Sequence, residues 1–254
     1  MLKLIRDSGL IFISALRTTL RNPAWVFLGL FQPVCYMLLF APLLKNLVGV
    51  PGFPKGGAYN VFTPGLMMMM AIFGTGFAGF TVIGQLREGV IERLRVTPVN
   101  RLALMIGMIS VSLLNLLVQT ALLVIIGMLL GFRPNAGGLL LLVVLLLIGG
   151  LMMASCSYAV ALALKNEGSL AAAVNLVALP LLLLSGIMLP LSFAPQVLRN
   201  IAKANPFAYA VDGSRALVAG TLGAASVTQA FIIFAVLAVG ALYWATAGIR
   251  KATM

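Results

Sequence analysis

Long apolar runs alternate along this chain with short polar interruptions, and the spacing of the polar positions changes from one stretch to the next. Over residues 1–22, Lys3, Arg6, Asp7, Ser14, Arg17, Thr18 and Arg21 fall within an arc of about 120° at helical spacing. Leu2, Ile5, Phe12, Ile13, Leu16 and Leu20 cover the other side, with Leu10 the one intruder. A basic face opposed to a Leu/Ile/Phe face predicts an amphipathic helix lying in the lipid interface. Six runs follow, 23–44, 61–86, 102–130, 139–164, 168–191 and 229–249, each apolar all round. All reach the roughly 20 residues that a membrane-crossing helix needs. None contains a charged side chain, as expected when one at mid-span costs about 2.5–3.5 kcal/mol. Pro33, Pro42, Pro64 and Pro180 punctuate the runs; in lipid, neighbouring helices re-satisfy the backbone groups that proline frees.

Two of the interruptions carry a pattern of their own. From Gln85 to Pro98, Leu86, Val90 and Leu94 stack on one helical face, while Gln85, Glu88, Glu92 and Arg95 take the other. Pro98 stops the helix. The segment is too short to cross and is predicted to lie on the membrane surface. Its like charges Glu88 and Glu92, four apart, cost an isolated helix about 0.2–0.5 kcal/mol. Taken alone, the pattern fits a solvated loop helix equally well.

The second interruption is 192–228. Pro195 is placed to open a helix that Asn205-Pro206 must end, near 15 Å long, and Phe207 to Val218 forms another with Asp212 and Arg215 at i, i+3. Neither crosses a bilayer. The pair reads as a re-entrant or interfacial hairpin with Phe207 and Tyr209 at headgroup level. Counting one of them as a span would make seven, the less favoured topology.

Composition fixes the class. The chain has 254 residues, 62% hydrophobic and 9% charged, against about 25% charged in soluble domains. It is read as an all-α integral membrane protein, with an interfacial helix (1–22) and a single six-span domain (23–254). The net charge of +12 sits at the ends of apolar runs, with no basic stripe, so it anchors to lipid and does not point to nucleic acid. Lys3, Arg6, Arg17, Arg21, Arg87, Arg93, Arg95, Arg101, Lys165, Arg250 and Lys251 fall on one side of a six-span topology. Lys45, Lys55, Arg133, Arg199, Lys203 and Arg215 fall on the other. The positive-inside rule then puts both termini and the Gln85–Pro98 helix in the cytoplasm, and the hairpin outside. No cleavable leader is expected, because charges interrupt the first twenty residues.

Chemistry is sparse. With no histidine, Ser–His and Cys–His pairs are excluded. Cys35 and Cys156 are isolated in apolar runs, without metal or redox spacing. Gly74-Thr75-Gly76-Phe77-Ala78-Gly79 matches a dinucleotide fingerprint, but mid-span and without the strand or acidic residue such a site requires; close helix packing explains it better. The Met67–Met70 run is adaptable apolar surface, read first as core. There is no GxxxxGK[ST] motif, so ATP use would belong to another polypeptide.

Three features together resemble the membrane subunit of type-2 ABC exporters, in the drug-resistance branch that includes daunorubicin exporters. They are the N-terminal interfacial helix, Glu88-Gly89-x-x-Glu92-x-Leu94-x-x-Thr97-Pro98, and Asn205-Pro206-Phe207-Ala208-Tyr209-Ala210-Val211-Asp212-Gly213-Ser214-Arg215. The resemblance implies a homodimeric or heterodimeric pair of permeases in a bacterial plasma membrane, bound to two copies of a separate ATPase that carries ATP and magnesium. It implies no cofactor in this chain and no catalytic residue. Arg87, Glu88, Gly89, Glu92, Arg93, Leu94 and Arg95 would form the coupling helix that docks into the ATPase, whose basic groove would relieve the Glu88–Glu92 repulsion. Asn205, Pro206, Tyr209, Asp212 and Arg215 would shape an outer gate, with Asp212 and Arg215 paired.

A charge-poor interior suits a hydrophobic or amphipathic cargo such as a drug, an antibiotic or a lipid-like molecule, and Met67, Phe73, Phe77, Asn175 and Ser185 are taken as its path. An ion-coupled carrier would need an ionisable group at mid-membrane. A histidine-free intramembrane hydrolase would need a Ser–Lys or paired-aspartate site. The sequence offers neither.

Overall fold

The computed structural model describes residues 13, 24–44, 48–51, 57–88 and 101–252. Among them the secondary structure is helical, without strands. The helices are α1 (Ala24–Leu44), α2 (Gly57–Gly76), α3 (Gly79–Arg87), α4 (Arg101–Leu130), α5 (Ala136–Leu164), α6 (Glu167–Leu183), α7 (Gln196–Ala202), α8 (Pro206–Val218) and α9 (Ala225–Ala252). Among the described residues five stretches are long and apolar enough to cross a membrane: Phe27–Leu44, Gly57–Arg87, Met105–Leu130, Ala136–Leu164 and Ala225–Gly248. The chain is a multi-pass membrane protein. The interfacial helix expected over residues 1–22 lies outside the described residues, Ile13 excepted.

Local chemistry sets the boundaries. Asn135 caps α5, its side-chain oxygen accepting from the Gly138 N–H at 3.0 Å. Lys165 ends α5 in the left-handed conformation at φ 52°, its N–H returning to Ala161 O. Asn166 then caps α6 through the Ser169 N–H at 3.0 Å. A two-residue connection therefore reverses the chain. Asn205 caps α8 through the Phe207 N–H at 2.9 Å, with Pro206 in the first helical turn.

Two expected runs are reshaped. The run 61–86 is two helices, with a turn at Phe77–Ala78. There Ala78 N–H bonds Thr75 O and Thr81 N–H bonds Ala78 O, each three residues back, while the Thr75 hydroxyl donates to Ala71 O at 2.6 Å. Such back-bonding bends helices. The N–H of Gly79 turns instead to Ser157 Oγ on α5 at 2.9 Å. The run 168–191 ends as a helix at Leu183, giving α6 a length of about 25 Å against about 30 Å of hydrocarbon. Its last residues instead form a turn, in which Gly186 takes φ +75°.

The broken span is the centre of the molecule: α2 packs against α1, α4, α5, α6 and α8, and α3 against α5 and α6. Met67, Met68, Met69 and Met70 are all buried, so the methionine run is core, where its flexible thioethers fill irregular gaps. Adjacent glycines of α5 admit neighbours on two sides. A Cβ on Gly149 would meet Phe234 of α9 at 2.6 Å, and one on Gly150 would meet Leu116 of α4 at 2.7 Å. Arg87, closing α3, and Val61, near the start of α2, mark opposite ends of the bundle.

Candidate functional site

Chemistry-bearing residues collect at these two ends. At the first, Arg87 is the last residue of α3 and Glu88 follows it, with the Glu88 N–H bonded to Gly84 O at 3.0 Å. Arg87 Nη1 donates to Glu167 Oε1, in the first turn of α6, at 2.8 Å. The α5–α6 connection is thereby tied to the base of the Gln85–Pro98 segment, a contact that sequence spacing did not signal. Both side chains are about half exposed, where such a pair contributes about 0–1 kcal/mol; it orients more than it stabilises. Gly89, Glu92, Arg93, Leu94 and Arg95 lie outside the described residues.

At the other end the hairpin sits deeper than the sequence suggested. Helix α8 packs against α9, α2 and α5. Phe207, expected at headgroup level, is fully buried, its ring 5.1 Å from that of Phe234 in an edge-to-face contact. The amphipathic reading erred because α8 buries most of its circumference. Tyr209 remains partly exposed, its hydroxyl donating to Lys203 O at 3.0 Å.

Arg215 is 9% exposed. Its Nε donates to Val61 O of α2 at 3.0 Å and its Nη2 to Gly186 O, in the turn after α6, at 2.7 Å. The expected partner Asp212 lies at 3.7 Å from Nη1, so the pair forms but is the looser of the guanidinium's contacts. Desolvation lowers the Arg215 pKa to about 10, with Asp212 pulling it back up. The side chain therefore stays cationic near neutral pH.

Asn205 adds a second grip, its Nδ2 donating to Leu181 O at 2.8 Å and satisfying a carbonyl left over at the end of α6. Asn60, which sequence reasoning passed over, accepts the Arg133 N–H at 2.8 Å. The Asn135 N–H reaches Val218 O at 3.2 Å. The only sign of Asn60 in the sequence is an amide one residue before an apolar run.

The expected path residues divide. Met67 is buried in the core. Ser185 is buried too, and its hydroxyl donates to Leu182 O at 2.7 Å and accepts from Ile187 N at 3.3 Å, so it shapes the turn. Phe73 and Phe77 are partly exposed, and Phe77 stacks on Phe80 at 5.5 Å. Asn175 is exposed and bonds back to Ala171 O at 3.0 Å. Phe77 and Asn175 directly follow Gly76 and Val174, a pair that brings α2 against α6: a Cβ on Gly76 would lie 3.4 Å from Val174. The glycine-rich motif is thus a packing and break point, as expected of small residues.

The described residues thus form a multi-pass helical membrane domain around a buried, broken central span, with a pair of short helices at one end. The family model for the ABC-2 type transporter matches residues 9–219, and the chain belongs to that family, as a transport permease. Among relatives, a putative transport permease ycf38 of Pyropia yezoensis is 28% identical over 78% of this chain and 68% of its own length. One from Porphyra purpurea is 29% identical, over 79% and 70%. The daunorubicin resistance ABC transporter permease protein DrrB1 of Streptomyces coeruleorubidus is 25% identical, over 76% and 68%. Permeases of this family normally work with a separate ABC ATPase subunit.

Proposed function

We propose that this chain is the permease subunit of an ATP-driven exporter that moves a hydrophobic or amphipathic molecule outward by alternating access. Two permease copies would join two ATPase subunits carrying ATP and magnesium, with no nucleotide site in this chain. The observation that carries the reading is that the most buried span continues through α3 up to Glu88, at the start of the docking segment, braced there by the Arg87–Glu167 pair. A displacement of that segment has a direct covalent route into the core. ATP binding in the partner would shift the equilibrium by favouring one docked arrangement over another.

The lysine and arginine count favours the Arg87 end as cytoplasmic. Helix α6 starts beside Arg87 and ends at the Arg215 end, which supports a sixth crossing and both termini inside. The ion pair and the hairpin then lie on opposite sides of a bacterial plasma membrane. Of the expected path residues, Phe73, Phe77 and Asn175 are the more accessible, whereas Met67 and Ser185 are buried within the chain. A drug or antibiotic cargo is favoured by the name of the Streptomyces relative.

The test is co-expression with an ATPase encoded beside this chain. The two should co-purify, and inverted vesicles should accumulate daunorubicin, used as a fluorescent probe, only with ATP. Changing Glu88 and Glu92 together to lysine should abolish co-purification. Retained complex and retained uptake in that double variant would remove the docking assignment.

A further inference from the structure

Arg215 joins three parts of the fold that are remote in sequence, and the geometry of that junction carries more than the hairpin's own stability. A guanidinium holds its donors in one rigid plane. Bonding Val61 O and Gly186 O from that plane fixes the orientation of α2 relative to the turn after α6, as well as their separation. The same two segments touch again one turn further on: a Cβ added to Gly65 would lie 3.2 Å from Ile187 O and 3.3 Å from Ile187 Cα. Asn205, at the opposite end of α8, holds Leu181 O. The start of α2, the end of α6 and both ends of α8 therefore form one hydrogen-bonded body.

The rest of that span is separated from this body by the break at Phe77–Ala78, beyond which α3 bonds to α5 through Ser157. The second span accordingly has two mechanical partners, and only its first half is bound to the hairpin. Packing alone would hold α8 in place without burying a charge, and a buried guanidinium is costly unless its partners are placed for it.

We propose that Arg215 is the positioning residue that makes the first half of the second span, the turn at Gly186 and the hairpin move as one unit. A displacement of that first half thereby reaches the turn and the hairpin together. This rests on the transport reading above, and adds to it the residue through which the stroke arrives.

The test uses the permease–ATPase complex in liposomes, with daunorubicin as the probe. Arg215→Gln keeps a planar donor but loses the charge and the fork. It should leave ATP hydrolysis within about twofold of the unsubstituted complex while probe accumulation falls about tenfold or more, and Arg215→Lys should recover only part of the loss. Gly65→Ala, with Arg215 intact, should uncouple in the same sense by forcing Ile187 away. Hydrolysis and accumulation falling in one ratio, or unchanged accumulation in Arg215→Gln, would overturn the proposal.

Amide hydrogen exchange on the unsubstituted chain decides the matter if the variants do not assemble or the probe is not transported. Residues 62–66 and 185–188 should share one protection level and change together between nucleotide-free and vanadate-trapped complex. Protection of the two segments differing by about tenfold or more would refute a single body even in the isolated permease. Absence of any ATPase partner would instead sink the transport reading.

Discussion

Glycine and asparagine do most of the positioning in this bundle, each for a separate physical reason. Gly79 has no side chain because the backbone of α5 occupies that space: a Cβ there would lie 2.6 Å from Ser157 O and 2.8 Å from Ser157 Oγ. Gly79→Ala must move backbone, and is expected to lower the stability of the detergent-solubilised protein by about 1–3 kcal/mol, read as a lower thermal midpoint. An unchanged midpoint would mean that α3 and α5 are not in contact there. By contrast Arg87→Ala removes a half-exposed pair and should cost no more than about 1 kcal/mol in the same assay. Its larger effect is expected on recovery of the ATPase subunit. Both glycines of the break region were visible as a motif in the sequence; that one of them bonds Ser157, 78 positions away, was not.

Between elements, hydrogen bonds to leftover carbonyls join helices that apolar packing alone would let slide. Asn205 both caps α8 and satisfies Leu181 O of α6. Asn205→Ala therefore loses two functions and should destabilise by about 1–3 kcal/mol, with amide exchange rising first over residues 184–187. Exchange rising evenly along the chain would show that the asparagine serves α8 only. The same logic explains why the fifth run was misjudged in length. Its composition stays apolar to Leu191, which hydropathy reads as helix. Pro180, a glycine at positive φ and Ser185 capping its own turn end the helix at Leu183. Burial of Ile187 and Ser185 then hides a non-helical segment among apolar residues. Buried irregular backbone is tolerated in a membrane protein only where its polar groups are paired within the protein, and Arg215 and Asn205 supply part of that pairing.

On the scale of the whole molecule, the two ends differ in kind. The Arg215 end is closed by Arg215, Asn205, Asn60 and Asn135, which bind loops and helix ends to one another. The described part of the Arg87 end offers one half-exposed ion pair and ends at Glu88. The orientation of the chain is open to a direct measurement after Cys35 and Cys156 are replaced by serine. A cysteine at Ala219, exposed beside the hairpin, should react with a membrane-impermeant maleimide on intact cells, and one at Ser169 should not. Labelling in the reverse pattern would invert the proposed topology and place Arg87 outside, which would remove the proposed docking of an ATPase beside it.

Hydropathy by itself determined the all-helical membrane class, the approximate place of five membrane-crossing stretches among the described residues and the two short helices at 196–202 and 206–218, because lipid punishes exposed backbone and charge so heavily that sequence must record where the membrane lies. The family was legible in the sequence as well, as a resemblance that the match of the ABC-2 type transporter model over residues 9–219 bears out. Only the tertiary structure decided that the second span is broken, that Phe207 is buried, and that Arg215 reaches two carbonyls 154 and 29 residues away. In lipid every helix face is apolar whether it meets a neighbour or an acyl chain, so the pattern that reveals a span carries almost no information about which side of it is packed.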